Sequence, residues 1–297
     1  ILAGAGSGKT RVLTYKVLYL MLEELIEPEE ILMITFTNKA AQEMKERMLM
    51  HLGTKPTPWI ATFHAMCAKI LRIEAHHLGF SQNFAIYDTH DQLDAIKEAM
   101  KRLGIETKDI KPQAVLHTIS QAKNEVISAP EYLSFARGHF QEAVAKIYSM
   151  YQTILKDSNA FDFDDLILQT IKLFQQQEAI LKKYQSRFRY ILVDEYQDTN
   201  RAQYLLTTLL SHKWKNICVV GDFSQSIYSW RGADYRNLIR FKKDFPKTKT
   251  FSLAQNYRST QNILDAASTI VSKNKSHPIL ELWTENAKGE AIAIHEA

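Results

Sequence analysis

The chain of 297 residues is 45% hydrophobic and 24% charged, enough apolar material for one large or two ordinary domains. Its net charge of +4 is compatible with a polyanionic partner and does not require one. The two cysteines, Cys67 and Cys218, lie far apart and outside CxxC spacing, which excludes a disulfide scaffold and a cysteine-ligated zinc or iron–sulfur centre.

In chain order, the first feature is "ILAGAGSGKT" (1–10), a glycine-rich loop with almost nothing before it and no initiating Met. A phosphate-binding loop is normally delivered by a strand, so this start predicts either an unusual nucleotide site or a sequence that begins inside a domain. The apolar run from Val12 to Ile26 is interrupted by Lys16, Glu23 and Glu24. It is neither a membrane span nor a signal-peptide core, and a cytoplasmic protein without a membrane partner is expected.

Apolar runs at 30–36 ("EILMITF"), 189–195 ("RYILVDE"), 216–222 ("NICVVGD") and 248–254 ("TKTFSLA") each end in polar residues. Runs of this kind suit strands buried on both faces, and helical stretches between them, such as 38–51 and 200–211, make the sheet parallel. The fold class is therefore α/β. Between 88 and 165 the strand signal stops. Leu93, Ile96, Met100 and Leu103 share a helical face, and 112–125 and 131–157 are also helical in pattern, with breaks at Pro112 and Pro130. This is read as an all-helical insertion, with the α/β domain resuming near Ile167. A helix at 260–273 follows, then "NKSHP" and "NAKGE", then an alternating run, "AIAIHEA", that predicts one strand.

Two stretches carry chemistry by themselves. "AGAGSGKT" (3–10) supplies small residues, Ala5, Gly6, Ser7 and Gly8, whose backbone N–H groups can wrap phosphates, with Lys9 for the β- and γ-phosphates and Thr10 for Mg²⁺ at a helix N-terminus. The strict pattern GxxxxGK[ST] fails at Ala3, which is tolerable if φ stays negative there. "ILVDEYQDTN" (191–200) ends an apolar strand in two carboxylates. Phosphoanhydride hydrolysis needs one to hold Mg²⁺, assigned to Asp194, and one to orient and deprotonate water, assigned to Glu195. Tyr228, Trp230 and Arg231 beside Gly232 in "SIYSWRG" place two aromatics and a cation where a stacking platform for single-stranded bases could form. The alternative is that both rings are core.

Together "AGAGSGKT", "TFTNKAAQEM" (35–44), "TFHAM" (62–66), "VDEYQDTN" (193–200), "GDFSQSIYSWRGA" (221–233) and "QNYRS" (255–259) resemble, in order and spacing, motifs I, Ia, Ib, II, III and IV of superfamily 1 DNA helicases of the PcrA/UvrD/Rep family. The resemblance covers nearly the whole chain, including "FDFDDLI" (161–167) and "ELWTENAKGEAI" (281–292). It implies a RecA-like P-loop domain, 1A, at 1–87 and 166–259, the helical insertion 1B at 88–165, and a linker helix with the start of domain 2A at 260–297. The family begins upstream with a motif that reads adenine and continues through a second RecA-like domain with motifs V and VI. By resemblance, then, this chain is expected to be a fragment whose partner is the missing C-terminal half of the same polypeptide.

The same resemblance implies roles residue by residue. Gln225 would sense the γ-phosphate and link it to the DNA track, and Arg258 would contact that phosphate. Tyr257 and Arg11 match residues that sandwich adenine. Phe36 matches a base-contacting ring, while Thr37, Asn38 and Lys39 open a helix whose N-terminus can hold a DNA phosphate. Thr62 and His64 would line the same track, with a purely structural histidine as the alternative. Phe223 and Ser224 depart from the acidic residues that usually follow "GD". The implied activity is an ATP- and Mg²⁺-dependent 3′→5′ helicase or translocase on single-stranded DNA and ss/ds junctions, with repair or replication proteins as possible partners. Two rivals are a module that only binds ATP and single-stranded DNA, and a P-loop nucleotide kinase. The kinase has no use for "VDEYQDTN" or "SIYSWRG".

Overall fold

A computed structural model describes residues 1–275, 278–293 and 295, with all their side chains except that of Arg231. The chain divides into two compact units, one made of Ile1–Thr62, Gln185–Thr199 and Ser211–Ala297, the other of Phe63–Tyr184 and Asn200–Leu210. The first unit opens with β1 (Leu2–Ala3), α1 (Lys9–Leu22), β2 (Ile31–Thr35), α2 (Asn38–Leu52) and β3 (Trp59–Thr62). The second contains α3 (Phe63–Glu74), β4 (Ala85–Tyr87), α4 (Thr89–Arg102), α5 (Pro112–Asn124), α6 (Ala129–Phe135), α7 (His139–Asp157), β5 (Ala160–Asp162), α8 (Phe163–Gln176) and most of α9 (Glu178–Arg187). The chain returns to the first unit through β6 (Tyr190–Val193), gives α10 (Arg201–Ser211) to the second, and completes the first with β7 (Ile217–Val219), α11 (Arg236–Asp244), β8 (Ser252–Leu253) and α12 (Gln261–Val271).

The first unit is built on a parallel sheet of order β3-β2-β6-β7, and β1 pairs in parallel with β8. A bridge between Leu2 and Gly221 joins the two sets just past the end of β7. All five residues of β2, "ILMIT", are buried, as a continuous apolar run in a parallel sheet covered on both faces requires. Its Ile31 and Met33 pack with Leu13, Val17 and Leu20 of α1 and with Met44, Met48 and Leu52 of α2. The four-residue spacing in α2 lays those three on one stripe. The loops that leave the C-terminal ends of β1, β2, β6 and β7 therefore emerge on one edge, where open parallel sheets place ligands.

The α/β expectation is met, with local differences. Of the run 248–254 only Ser252–Leu253 forms a strand. Thr248 instead folds back onto the Phe245 carbonyl through its N–H (3.0 Å) and its hydroxyl (2.7 Å), closing a turn. The helical run 131–157 is two helices: α6 stops at Phe135, where Ala136 turns extended, and Gly138, at φ 91°, starts α7 from a backbone that favours glycine. Within 88–165 the helices α4 to α7 appear, and the short β5 adds a parallel pairing from Ala85 with Ala160 to Tyr87 with Asp162. Residues 291–293 carry no strand, and Ile294, Glu296 and Ala297 of the expected terminal strand lie outside the described residues.

The second unit encloses a buried ion cluster. The Lys123 ammonium, on α5, reaches Asp162 Oδ2 at 2.6 Å and Asp165 Oδ1 at 2.9 Å, with all three side chains almost wholly out of water. Tyr151 donates its hydroxyl to the same Asp162 oxygen at 2.8 Å, and Asp162 Oδ1 caps α8 by accepting from the Asp165 N–H at 2.7 Å. Burial by itself would strip the proton from Lys123, but the two carboxylates reverse that and hold its pKa above the ordinary value. Burial and the Asp162 charge push Asp165 up.

Breaking such a cluster from one side costs more than forming it gains, because the remaining charge is stranded. Lys123→Met should therefore destabilise the second unit by about 3–5 kcal/mol at neutral pH. An acid whose folded pKa is raised favours the folded state below its unfolded pKa, and that contribution fades as pH rises through the folded value. The loss in Lys123→Met should accordingly shrink as pH falls. Denaturant-dependent hydrogen exchange of the α5 and α8 amides would measure both, and a pH-independent loss below about 1 kcal/mol would contradict the reading.

Candidate nucleotide site and nucleic-acid surface

The loop between β1 and α1 has the backbone its sequence demands. Gly6 and Gly8 sit at φ 65° and 90°, a region that favours glycine. At Gly6 space is limiting as well, since an added Cβ would lie 2.8 Å from both Arg258 Cβ and Asn256 Nδ2. Gly8 caps α1, so the first helical N–H groups open toward the loop. The Ser7 hydroxyl donates to the Gly4 carbonyl at 2.7 Å. Ala3, the departure from the strict loop pattern, is a buried strand residue without positive φ, and a methyl group there meets no conformational objection.

The residues assigned to phosphate, metal and water converge in the first unit. Lys9 is 8% exposed, and its Nζ lies 3.0 Å from Glu195 Oε2 and 2.9 Å from Gln225 Oε1. The Thr10 hydroxyl donates to Asp194 Oδ2 at 3.0 Å. Asp194 is 2% exposed at the end of β6; burial, and then the Glu195 charge, push its pKa up. Among the described residues no three His, Cys, Asp or Glu side chains converge as a metal site. A hydroxyl and one carboxylate nonetheless fit Mg²⁺, an ion that takes most of its ligands from phosphate and water. Glu195 is held at φ 47°, a left-handed backbone that costs a side-chain-bearing residue about 1 kcal/mol or more. The bend turns its carboxylate toward Lys9 while its N–H donates to Asp194 Oδ1 at 3.0 Å.

Two side chains that the motif reading passed over organise this cluster. Gln197, almost fully buried, donates from Nε2 to Glu195 Oε2 (3.0 Å) and Asp198 Oδ2 (3.2 Å), and its Oε1 accepts the Asp222 N–H at 3.0 Å. Asp222 accepts from Gln225 Nε2 at 2.6 Å and from the Ser224 N–H at 2.9 Å. That pair of bonds shapes the turn through Phe223 and Ser224, where acidic residues were absent. Asp198 is pushed up to about 6 by burial and by Glu195. Asn256, 2% exposed, donates to the Ala5 carbonyl at 2.6 Å and accepts from the N–H groups of Arg258 (2.8 Å) and Ser259 (2.7 Å). The Tyr257 N–H adds a bond to the Gly6 carbonyl at 3.0 Å. "QNYRS" is thereby clasped to the phosphate loop. The Arg258 side chain is exposed there, with no ion pair among the described residues. Tyr257 is 65% exposed beside the loop, whereas the Arg11 guanidinium lies over the Tyr15 ring at 5.6 Å. The Tyr257 hydroxyl instead donates to Gln255 Oε1 at 2.9 Å.

The residues assigned to DNA fall in both units. In the first, Phe36 is half-buried just past β2, and Thr37 caps α2 by accepting the Ala40 N–H at 3.0 Å. Asn38 and Lys39 are exposed in a first helical turn that holds no acidic residue. Thr62 is buried at the end of β3. Tyr228 and Trp230 are exposed, the latter at 63%, with ring centroids 6.4 Å apart, so both rings lie at the surface of this chain. The Arg231 assignment lies outside the described side chains. In the second unit, His64 meets Phe163 edge-on at 5.8 Å, and burial lowers its pKa. Phe163 is half-exposed at the start of α8; its place in "FDFDD", inside an apolar pattern, hid it. Burial pushes Cys67 up to about 12, which makes it an inert thiol. Among the described residues no helix is long and apolar enough to cross a membrane.

Comparison with known proteins finds relatives along the whole chain. Residues 1–246 match the UvrD/REP helicase N-terminal domain, and residues 251–297 match the UvrD-like helicase C-terminal domain. The chain is 49% identical over 296 residues to the ATP-dependent DNA helicase PcrA of Bacillus subtilis, with 99% of this chain and 40% of the relative covered. It is 48% identical over 298 residues to PcrA of Staphylococcus aureus, covering 100% and 41%. It is 47% identical over 299 residues to PcrA of Leuconostoc citreum, covering 100% and 40%. The chain thus spans about 40% of the length of these relatives. With a phosphate loop, a paired-carboxylate strand end and a family match that runs through both, the chain belongs to the UvrD/REP helicase family.

Proposed function

We propose that the chain supplies the ATP site and part of the DNA track of an ATP- and Mg²⁺-dependent helicase or translocase on single-stranded DNA. The observation that carries the reading is the convergence of Lys9, Glu195 and Gln225, beside the Thr10–Asp194 pair. Movement 3′→5′, action at ss/ds junctions, a role in repair or replication and a cytoplasmic location draw their support from the motif resemblance alone. So does the division into 1A, 1B and 2A.

The chemistry follows from the side chains. Lys9, nearly dehydrated and already bonded to two acceptors, would exchange them for β- and γ-phosphate oxygens. Thr10 and Asp194 would hold Mg²⁺, which when bound neutralises charge on those phosphates. Glu195 would orient the attacking water and take its proton. Gln225 would face the γ-phosphate, and the exposed Arg258, fixed through Asn256 to the loop, would meet the charge that develops there. Tyr257 and Arg11 would flank the adenine. For DNA, Tyr228 and Trp230 offer stacking faces, joined by Phe36 and Arg231, while Thr37, Asn38 and Lys39 present a helix N-terminus to a backbone phosphate. Thr62 and His64 would line the track. A second reading is an ATP- and single-strand-binding module without unwinding of its own. Robust DNA-stimulated turnover by residues 1–297 alone would dismiss it, whereas Mg·ATP binding with little or no such turnover would support it.

In the full-length protein, Glu195→Gln should leave ATP binding nearly intact and lower turnover by roughly 10²- to 10⁴-fold, the usual reach of general-base catalysis. Steady-state hydrolysis within about threefold of the parent would remove Glu195 from that role.

The DNA track is tested by salt. Stacking is worth about 1–3 kcal/mol per base, so Trp230→Ala should weaken single-strand binding roughly ten- to a hundredfold with an unchanged salt slope. Lys39→Ala should make the slope shallower by roughly 0.7 for one lost phosphate contact. Fluorescence anisotropy titrations over a range of salt would separate the two. If Trp230→Ala leaves affinity intact, the platform assignment is wrong.

A further inference from the structure

Around the phosphate loop the hydrogen bonds close on themselves. Lys9 bonds Glu195 and Gln225; Gln225 bonds the Asp222 side chain; the Asp222 N–H bonds Gln197 Oε1, and Gln197 Nε2 returns to Glu195 Oε2. Beside Lys9, Gln197 joins the β6 carboxylates to the loop after β7. A second bond runs the same way, from the Ser226 hydroxyl to the Gln197 carbonyl at 3.3 Å.

The chemistry of the position calls for an amide of this length. One end must accept from a backbone N–H and the other must donate to two carboxylate oxygens, a combination only Asn and Gln side chains offer, so its partners also set which way it points. Asn is one methylene shorter. Space is reserved for it too: a Cβ on Gly221 would come within 2.9 Å of Gln197 Oε1. Gly221 has no positive φ that would otherwise demand glycine.

We propose that Gln197 is a positioning residue for ATP hydrolysis, aiming the Glu195 carboxylate and locking it to the loop that carries Gln225, so that the base and the γ-phosphate-facing amide move as one unit. It touches neither substrate nor water itself. The inference rests on the hydrolytic reading of the site.

The test compares Gln197→Met, Gln197→Glu, Gly221→Ala and Glu195→Gln in the full-length protein, each with its thermal midpoint, kcat and KM for Mg·ATP. Gln197→Met keeps the shape and removes both sets of bonds. It should lower kcat by roughly ten- to a hundredfold, the reach of misplacing a reacting group by about an ångström, with KM within about threefold. Gly221→Ala, which leaves Gln197 in place and crowds its Oε1, should show the same split. Gln197→Glu keeps the acceptor for Asp222 but sets a carboxylate against Glu195 and Asp198, within reach of Lys9, Asp194 and Asp222. It should be slower than Gln197→Met near neutral pH and gain on it as pH falls, when the introduced carboxyl regains a donor. A merely structural glutamine would lower the thermal midpoint without producing that pH-dependent crossover.

The outcomes separate the two readings. If the unsubstituted protein does not hydrolyse ATP, or Glu195→Gln turns over normally, the hydrolytic reading falls and takes this one with it. If Glu195→Gln is impaired while Gln197→Met and Gly221→Ala hydrolyse within about threefold of the parent, only the role of Gln197 is overturned. Should Gln197→Met fail to fold, the pH crossover of Gln197→Glu and the kcat of Gly221→Ala decide the matter.

Discussion

An ammonium group drawn out of water must find opposite charge and hydrogen-bond acceptors, and the candidate nucleotide site is arranged around that demand at Lys9. Its side chain leaves a helix N-terminus, where the partial charge of the helix is also positive. Without Glu195 and Gln225 the group would be costly to keep there. Those two acceptors come from the ends of different strands, so satisfying one cation fixes the relative positions of three loops. The remaining bonds, from Thr10 to Asp194 and from Asp222 to Gln225, fill in geometry that the lysine has already dictated.

Glu195 shows how that demand is met at the backbone. A non-glycine residue at φ 47° is retained because neighbouring bonds over-determine it: the Asp194 N–H holds the Ile34 carbonyl at 2.9 Å, and the Tyr196 N–H holds the Val220 carbonyl at 2.9 Å. The strand on each side of β6 therefore grips one side of the bend. Strain concentrated at the residue assigned to water activation fits a general pattern in which functional positions give up local stability that the surrounding sheet supplies.

Much of this was legible in the sequence because phosphate chemistry is written in short contiguous stretches. "GSGKT" and "VDE" each carry their roles within a few residues, and buried parallel strands announce themselves as unbroken apolar runs such as "ILMIT". What escaped was relational. Gln197 lies inside a quoted motif, yet nothing local says that its amide reaches Asp222, and Asn256 reads as a turn former until Ala5 is beside it. Lys123 resembles any helix-surface lysine in one dimension; only the approach of α8 shows it buried between two aspartates. Gly138 was visible as a letter, but helical periodicity on both sides outweighed it. Long-range polar pairings have no period, and pattern reading detects periods.

The clasp between Asn256 and Ala5 spans 251 positions, and β1 finds its partner in β8 over a similar distance. Contacts this remote in sequence form late, since most of the chain must be ordered before loop-closure entropy is recovered. The phosphate loop is thus shaped by a segment 251 positions downstream of it. The loop precedes in synthesis the segment that clasps it, so its final geometry waits on that later segment. Loss of the segment around Asn256 would therefore leave the loop without its clasp even with every residue of the loop in place.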